Sequence, residues 1–159
     1  MFFPTHIPWY DAAARISFAI AFSLVIGVER FVHKKPVDFR PFVIISLSSC
    51  GLGLLVTQLP LASADANLSV DPAKVISGVM TGIGFLGAGA LFREGDIVKG
   101  AGSAASIWSA GAIGLICGMG LIWLAGTIAL AICILFLVTR RLVDTDAYTV
   151  SQNDDANPS

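Results

Sequence analysis

Charged residues are scarce in this sequence. Asp, Glu, Lys and Arg make up 13% of the 159 residues, whereas hydrophobic residues make up 55%. A water-soluble domain of this length usually contains about 25% charged residues. The low charge and the mean hydropathy of +0.80 exclude an ordinary soluble domain and predict one polytopic membrane domain. The net charge of −1 lacks the basic excess of nucleic-acid-binding proteins, so no nucleic-acid partner is predicted.

Cysteine patterns and catalytic motifs are also missing. The three cysteines, Cys50, Cys117 and Cys133, lie inside apolar runs without CxxC or Cys/His spacing, so we expect packing thiols rather than a disulfide framework or a metal site. No GxSxG, HExxH or Ser/His/Asp arrangement occurs, and the glycine-rich stretch 95–103 has no GK[ST] sequence for phosphate binding. The sequence therefore predicts no enzyme, catalytic residue, cofactor or metal ligand.

Five apolar segments have no Asp, Glu, Lys, Arg or His near their centres. Each is long enough to cross a hydrocarbon core about 30 Å thick as a helix. The absence of central charges argues against a proton-coupled pump. We predict an all-α membrane domain at 11–141, an interfacial N-terminal segment at 1–10 and a disordered tail at 142–159. The five predicted spans cover about 11–29, 42–59, 73–92, 103–118 and 121–139.

Basic residues are distributed unevenly between the predicted loops. Eight of the ten Lys and Arg residues follow span one, lie in the bridge 93–102 or follow span five, whereas the loop 60–72 has none. The other two, Arg15 and Lys74, lie near span ends, where long basic side chains reach the interface. The positive-inside rule then predicts an outside N-terminus and a cytoplasmic C-terminus.

Two span starts have recognisable caps. Asp71 followed by Pro72 is typical of a helix start, because Asp accepts from free backbone N–H groups and Pro is tolerated at the first helical position. Ser103 is the expected cap of span four. The segment Gly118-Met119-Gly120 between spans four and five is too short for anything but a tight turn.

Small residues dominate spans three and four. In lipid, glycine, alanine and serine allow helix backbones to approach closely, so we predict that the two spans pack against each other or against neighbours. A second hypothesis is that the same seam recognises a partner helix. The predicted seam comprises Gly78, Gly82, Gly84, Gly87, Gly89, Ser106, Ala110, Gly114 and Gly118.

Ionisable residues gather at the predicted cytoplasmic face. Glu29, Glu94 and Asp96 offer the hard oxygen ligands that Mg²⁺ prefers. Interfacial ion pairs between Glu29 and Arg30 or Arg93 explain the same residues, and neither interpretation is decided by spacing. The basic triplet 33–35 is equally consistent with contact to anionic lipid and with a plain role in topology. The polar candidates are Glu29, Arg30, Arg40, Arg93, Glu94, Asp96 and Lys99.

Several segments resemble the MgtC/SapB family of bacterial inner-membrane proteins over about residues 15–140. The most specific are the runs at 82–89 and 103–108. The chain differs from the family pattern at Pro41, where Thr is usual, and at 101–103, where Leu-Thr-Thr is more frequent. The segments that carry the resemblance are Gly-Val-Glu-Arg at 27–30, the basic loop ending at Arg40, Asp71-Pro72, Gly-Ile-Gly-Phe-Leu-Gly-Ala-Gly at 82–89, Ser-Ala-Ala-Ser-Ile-Trp at 103–108, and the stretches 112–115 and 118–120.

The resemblance implies a five-span fold with an outside N-terminus. Founding members carry a cytoplasmic ACT-like domain after the last span, so this chain looks like the short, membrane-only type. The family is linked to growth in low magnesium and to virulence. Some members are thought to restrain the F-type ATP synthase. Two functional hypotheses follow: a regulatory protein that associates with itself or with a membrane complex, and a small oligomeric transporter or channel for Mg²⁺ or another solute.

Overall fold

The computed structural model describes residues 7–32, 38–62, 71–94 and 97–155. These residues form five helices and one short antiparallel hairpin. Four of the helices are long and apolar enough to cross a membrane, whereas α3, with 17 residues, is shorter. The predicted helical fold is therefore confirmed. The elements are α1 (Trp9–Val32), α2 (Arg40–Ala62), α3 (Pro72–Ala88), β1 (Phe92–Glu94), β2 (Ile97–Lys99), α4 (Ala101–Gly118) and α5 (Ile122–Asp155).

Helix α4 is the central element of the fold. It contacts α1, α2, α3 and α5. In the 18-residue apolar stretch of α4 that is long enough to cross a membrane, 56% is buried, whereas in the corresponding stretch of α5 only 11% is buried. Its buried residues are mostly small, so four neighbouring backbones can approach it closely and gain dispersion contacts.

Contacts along the helices show that their directions alternate. Gly27 near the end of α1 lies against Phe39 before α2, and Arg30 lies beside Gly102 in the first turn of α4. Phe136, late in α5, contacts Arg30 as well. The end of α1, the starts of α2 and α4, and the later part of α5 therefore lie at one end of the bundle. We call it the hairpin end, because β1 and β2 lead directly into α4 there.

Helix α3 begins at Pro72, with Asp71 as its N-cap residue. The Asp71 Oδ1 atom accepts a hydrogen bond from the Ala73 N–H at 2.9 Å. The helix ends at Ala88 rather than near residue 92, where the predicted span ended. A turn follows, in which the Ala90 N–H donates to the Gly87 carbonyl at 3.0 Å. The chain then enters β1, so the last predicted turn of span three is replaced by extended backbone.

The bridge between spans three and four is a β hairpin in which Arg93 lies opposite Val98. Gly100 follows with φ +93° and is the N-cap of α4. The expectation that Ser103 caps this helix is therefore wrong. The helix begins two residues earlier because glycine adopts the left-handed conformation at no steric cost, which places Ser103 within the first turn.

The turn between α4 and α5 is a Schellman motif centred on Gly120, which has φ +91°. The Leu121 N–H donates to the Ile116 carbonyl at 3.1 Å, and the Gly120 N–H donates to the Cys117 carbonyl at 2.9 Å. These bonds satisfy carbonyls that would otherwise lack partners at the helix end. The short turn makes α4 and α5 neighbours.

Helix α5 continues to Asp155, which differs from the disordered tail predicted from residue 142. The polar composition of the tail suggested disorder. However, no glycine or proline occurs between Gly126 and Pro158. Nothing in this segment forces a helix end, and the backbone continues the helix of span five.

Arg15 joins α1 to the end of α4 that lies opposite the hairpin end. Its Nη1 atom donates to the Gly118 carbonyl at 2.9 Å, and its Nη2 atom donates to the Asp11 Oδ2 atom at 2.7 Å. The side chain is only 15% exposed. A cation at a helix C-terminus is favourable because the carbonyls there carry partial negative charge.

We expect Arg15→Gln to lower the free energy of unfolding by about 2 kcal/mol, because a charged donor to a partly buried carbonyl is lost. Asp11→Asn should cost less than about 1 kcal/mol, because it weakens only the ion pair. Thermal unfolding in detergent measures both. Arg40→Gln, which changes an arginine that is 76% exposed, is the control. Equal melting temperatures for Arg15→Gln and the control would contradict this role.

Candidate functional site

The closest helix contact in the bundle is between α4 and α2. A Cβ atom on Gly114 would lie 2.7 Å from both the carbonyl carbon and the Cα of Ser46, and closer still to the Ser46 oxygen. A Cβ on Gly118 would meet the backbone of Cys50 in the same way, at 3.0 Å from its carbonyl carbon. Gly53 of α2 faces these residues, and a Cβ atom on it would lie 2.7 Å from the Leu115 oxygen of α4. The α4 small-residue ladder therefore packs on α2.

Within the described residues, most α3 members of the predicted seam do not pack on α4, so their predicted contact with neighbours or with a partner helix stays a prediction. A Cβ on Gly78, Gly82 or Gly84 would meet nothing within 4 Å, whereas one on Gly87 would lie 3.2 Å from the Ala104 oxygen of α4. Gly89 lies after the helix, in the turn. Residue spacing identifies a face made of small side chains, but both α2 and α3 offer such a face to α4, and only the packing decides between them.

The exposed side of α3 forms a continuous surface, which we call the α3 outer face. Its members recur every three or four residues and all point away from the buried positions Ile83 and Gly87. Phe85 is 80% exposed. The face combines small residues, two hydroxyl groups and an aromatic ring in a helix of low charge. Its residues are Ser77, Gly78, Thr81, Gly82 and Phe85.

A second feature beside α3 is an open apolar groove of about 490 Å³. It lies where α2 and α3 diverge, near the hairpin end. Helix α3 packs mainly on α4 and has few contacts with α2. The lining residues of the groove are Pro41, Ile44, Ile45, Leu86, Gly89, Ala90 and Ile107.

The polar candidates do not form one cluster. Glu29 and Arg30 are half-buried at the end of α1. Arg40 is exposed and has an ion pair with Asp38, with 3.3 Å between Nε and Oδ2. Arg93 is exposed on β1. The structure describes only the backbone of Glu94 and Lys99, and Asp96 lies outside the described residues.

Arg30 contacts two other helices. Its Nη2 atom is 2.8 Å from the position of a Cβ on Gly102, and its guanidinium lies 4.7 Å from the centre of the Phe136 ring. A cation over an aromatic face is attracted by the ring quadrupole. Arg30 therefore connects α1, α4 and α5 at the hairpin end.

The described residues contain no group of three or more His, Cys, Asp or Glu side chains that could hold a metal ion. The alternative of a magnesium site built from Glu29, Glu94 and Asp96 is not tested, because the side chain of Glu94 and the whole of Asp96 lie outside the described part of the chain.

Sequence reasoning missed the α2 side of the main contact. Ser46 and Gly53 are buried, as is Gly111 of α4, which lies against Ile83 of α3. The signal was present, because Ser46 and Cys50, like Ser49 and Gly53, are small residues at i, i+4 spacing. It was weaker than the dense glycine cluster at 82–89 and was not used.

Comparison with known proteins gives consistent matches. The MgtC family model matches residues 16–145. An uncharacterized protein of Haemophilus influenzae is 32% identical over 145 residues, 89% of this chain and 58% of that protein. Protein SapB of Bacillus subtilis is 29% identical over 119 residues, 72% of this chain and 51% of its own.

Protein MgtC of Brucella abortus is 32% identical over 136 residues, which cover 86% of this chain and 54% of that protein. The chain thus spans about half the length of these curated relatives. No solved structure gives a significant match.

Proposed function

This chain belongs to the MgtC family, and we propose on that premise that it is a non-enzymatic regulatory protein of a bacterial inner membrane. In this proposal all five helices cross the bilayer, and the protein acts by helix–helix association with a second copy or with another membrane complex. The relatives named MgtC suggest a role in magnesium homeostasis and virulence. The F-type ATP synthase is a candidate partner by family resemblance alone.

The observation that carries the proposal is the α3 outer face. Gly78 and Gly82 face open space, although each glycine within a helix costs about 1 kcal/mol relative to alanine. Among the described residues, no close contact makes use of these glycines. In lipid, exposed small residues at i, i+4 spacing let a second helix approach closely, and hydroxyl groups such as those of Ser77 and Thr81 can donate across the contact.

Photocrosslinking tests this association. A benzophenone amino acid in place of Phe85 should form a specific adduct in native membranes, because Phe85 is 80% exposed on the α3 outer face. The same probe at Leu135 of α5, which is 60% exposed, is the matched control and should give only diffuse lipid adducts. Mass spectrometry of the adduct identifies a second copy or another protein.

The Gly82→Leu variant distinguishes association from folding. It should extract as a normal species, since a side chain at this position meets nothing within 4 Å among the described residues. It should nevertheless lose the Phe85 adduct and the support of growth in low magnesium that this proposal expects. An adduct of unchanged intensity, or no protein adduct in the unmodified background, would contradict the proposal.

Topology is a separate prediction. Eight of the ten basic residues lie between the last turn of α1 and the start of α2, in the hairpin region or after Thr139 of α5, so we expect the hairpin end to face the cytoplasm. A C-terminal alkaline phosphatase fusion should be inactive and a green fluorescent protein fusion bright. The reverse pattern would overturn the orientation.

The alternative is an oligomeric transporter or channel for Mg²⁺ or another solute. The polar Glu29 and Arg30 at the hairpin end are the observation in its favour, since polar residues at membrane depth often mark ion pathways. Reconstituted vesicles with a magnesium-sensitive dye separate the two proposals. The regulatory proposal expects no flux above empty vesicles. Saturable uptake that Glu29→Gln removes would favour transport.

A further inference from the structure

Helix α4 begins without a side-chain cap. Its N-cap residue is Gly100, and the first backbone bond of the helix runs from the Ala104 N–H to the Gly100 carbonyl at 2.9 Å. The N–H groups of residues 101–103 come before that bond, so they have no acceptor within the helix. Together they give the start of this 18-residue helix a partial positive charge.

Ser103 lies in this first turn, and its hydroxyl has no partner. The residue is 1% exposed, and its Oγ atom has no hydrogen bond among the described residues. Ser106 and Ser109 of the same helix donate to the carbonyls of Gly102 and Ala105, at 2.6 and 2.8 Å. Because Cα–Cβ bonds tilt towards the N-terminus of a helix, the Ser103 side chain leans towards the free N–H groups of this turn.

Arg30 brings a guanidinium group to the same place. Its Nη2 atom would lie 2.8 Å from a Cβ at Gly102, so the absence of a side chain there leaves room for it. Its Nε atom is buried and has no acceptor in the part of the chain that the structure describes. A cation next to the positive end of a helix is repelled by it. An anion that contacts both the guanidinium and the helix start would relieve this repulsion.

Glu29 offsets part of this charge, because its carboxylate interacts electrostatically with Arg30. With a helix start equivalent to about +0.5 charge, the combination of Arg30, Glu29 and α4 remains positive. The free donors are of three kinds: backbone N–H, hydroxyl and guanidinium. This set matches the oxygens of a tetrahedral oxyanion.

We propose that Arg30, Ser103 and the first turn of α4 form a binding site for a phosphate-type oxyanion. The site does not depend on the proposed helix association, because it lies at the hairpin end of α1 and α4 and not on the α3 outer face. The same chemistry is presented by inorganic phosphate in solution and by the headgroup of an anionic phospholipid.

Two binding measurements distinguish these sources. In a neutral detergent, isothermal titration with inorganic phosphate tests the free ion. In phosphatidylcholine nanodiscs that contain increasing phosphatidylglycerol, native mass spectrometry counts retained anionic lipid. At least one probe should bind saturably, and Ser103→Ala should weaken that binding about fivefold, the effect of one lost hydrogen bond. Arg30→Gln should weaken it by roughly 30-fold, because a charged donor is lost.

Matched controls isolate the site from general charge and folding. Arg40→Gln removes an exposed arginine at the same end, and Ser109→Ala removes a hydroxyl of the same helix that already has a partner; both should leave affinity within about twofold. Glu29→Gln should tighten binding, because it removes a negative charge that repels the bound anion. If Arg30→Gln does not fold, the affinity of Ser103→Ala still tests the proposal. Absence of binding by both probes, or equal losses in site and control variants, would overturn the proposal.

Discussion

Replacing Gly114 by leucine is expected to abolish the folded protein. The first added carbon would lie 2.7 Å from the carbonyl carbon and the Cα of Ser46, and closer to its oxygen. These are backbone atoms of α2, so no flexible side chain can move aside. Overpacking by single methylene groups costs about 1–3 kcal/mol in well-packed cores, and leucine adds four carbons. In lipid no hydrophobic force brings separated helices back together.

Gly82→Leu is the matched comparison, with the same substitution on α3. A side chain there meets nothing within 4 Å, and leucine favours a helix over glycine by about 1 kcal/mol. Size-exclusion chromatography of detergent extracts measures the folded yield. We expect a normal monodisperse peak for Gly82→Leu and aggregation for Gly114→Leu. Small-residue spacing alone predicts failure of both, and that joint outcome would contradict the open position of Gly82 on α3. A normal peak for Gly114→Leu would refute the described packing of α4 on α2.

Gly100→Ala should produce the second large effect. Gly100 has φ +93°, and a Cβ atom would collide with the Ala90 oxygen and lie 3.2 Å from the Ala90 carbonyl carbon. The left-handed conformation costs a non-glycine residue about 1–2 kcal/mol, and the collision adds about 1–3 kcal/mol. The backbone between the hairpin and α4 therefore should not keep its present geometry in this variant. A fall of several degrees in melting temperature is the expected result.

Gly120→Ala separates backbone strain from collision. Gly120 has nearly the same φ, +91°, but a Cβ there would approach only the Arg15 guanidinium, at 3.1 Å. A long side chain can shift, so only the cost of about 1–2 kcal/mol for the left-handed backbone remains. Equal melting temperatures for the two alanine variants would show that the contact with Ala90 contributes nothing.

Local chemistry made some features predictable. Low charge and long apolar runs led to a membrane domain of helices, and the MgtC family match confirms the resemblance seen in the runs at 82–89 and 103–108. Asp71 and Pro72 define a helix start within two adjacent residues. The glycines around Met119 similarly predicted a tight turn. In each case the interacting groups lie within a few residues of each other, so their spacing carries the information.

The position of Arg30 shows where this information ends. Its residue type indicated only a polar group near a membrane interface. Its contact with Gly102, 72 positions later in the chain, and with the Phe136 ring depends on how three helices meet. The burial of the Ser103 hydroxyl follows from the same arrangement, because Gly100 starts α4 earlier than the expected cap.

The small residues show the same difference between what the sequence determines and what the tertiary structure determines. Their i, i+4 spacing on α3 and α4 is a property of the sequence, and it determined that each helix has a face open to close approach. Which face meets which helix depends on packing that spans the whole bundle. Tertiary structure placed Gly114 and Gly118 against the backbone of α2 and left Gly78 and Gly82 exposed. Dispersion contacts act over only a few ångströms, so they depend on the final positions of the backbones, which residue spacing does not contain.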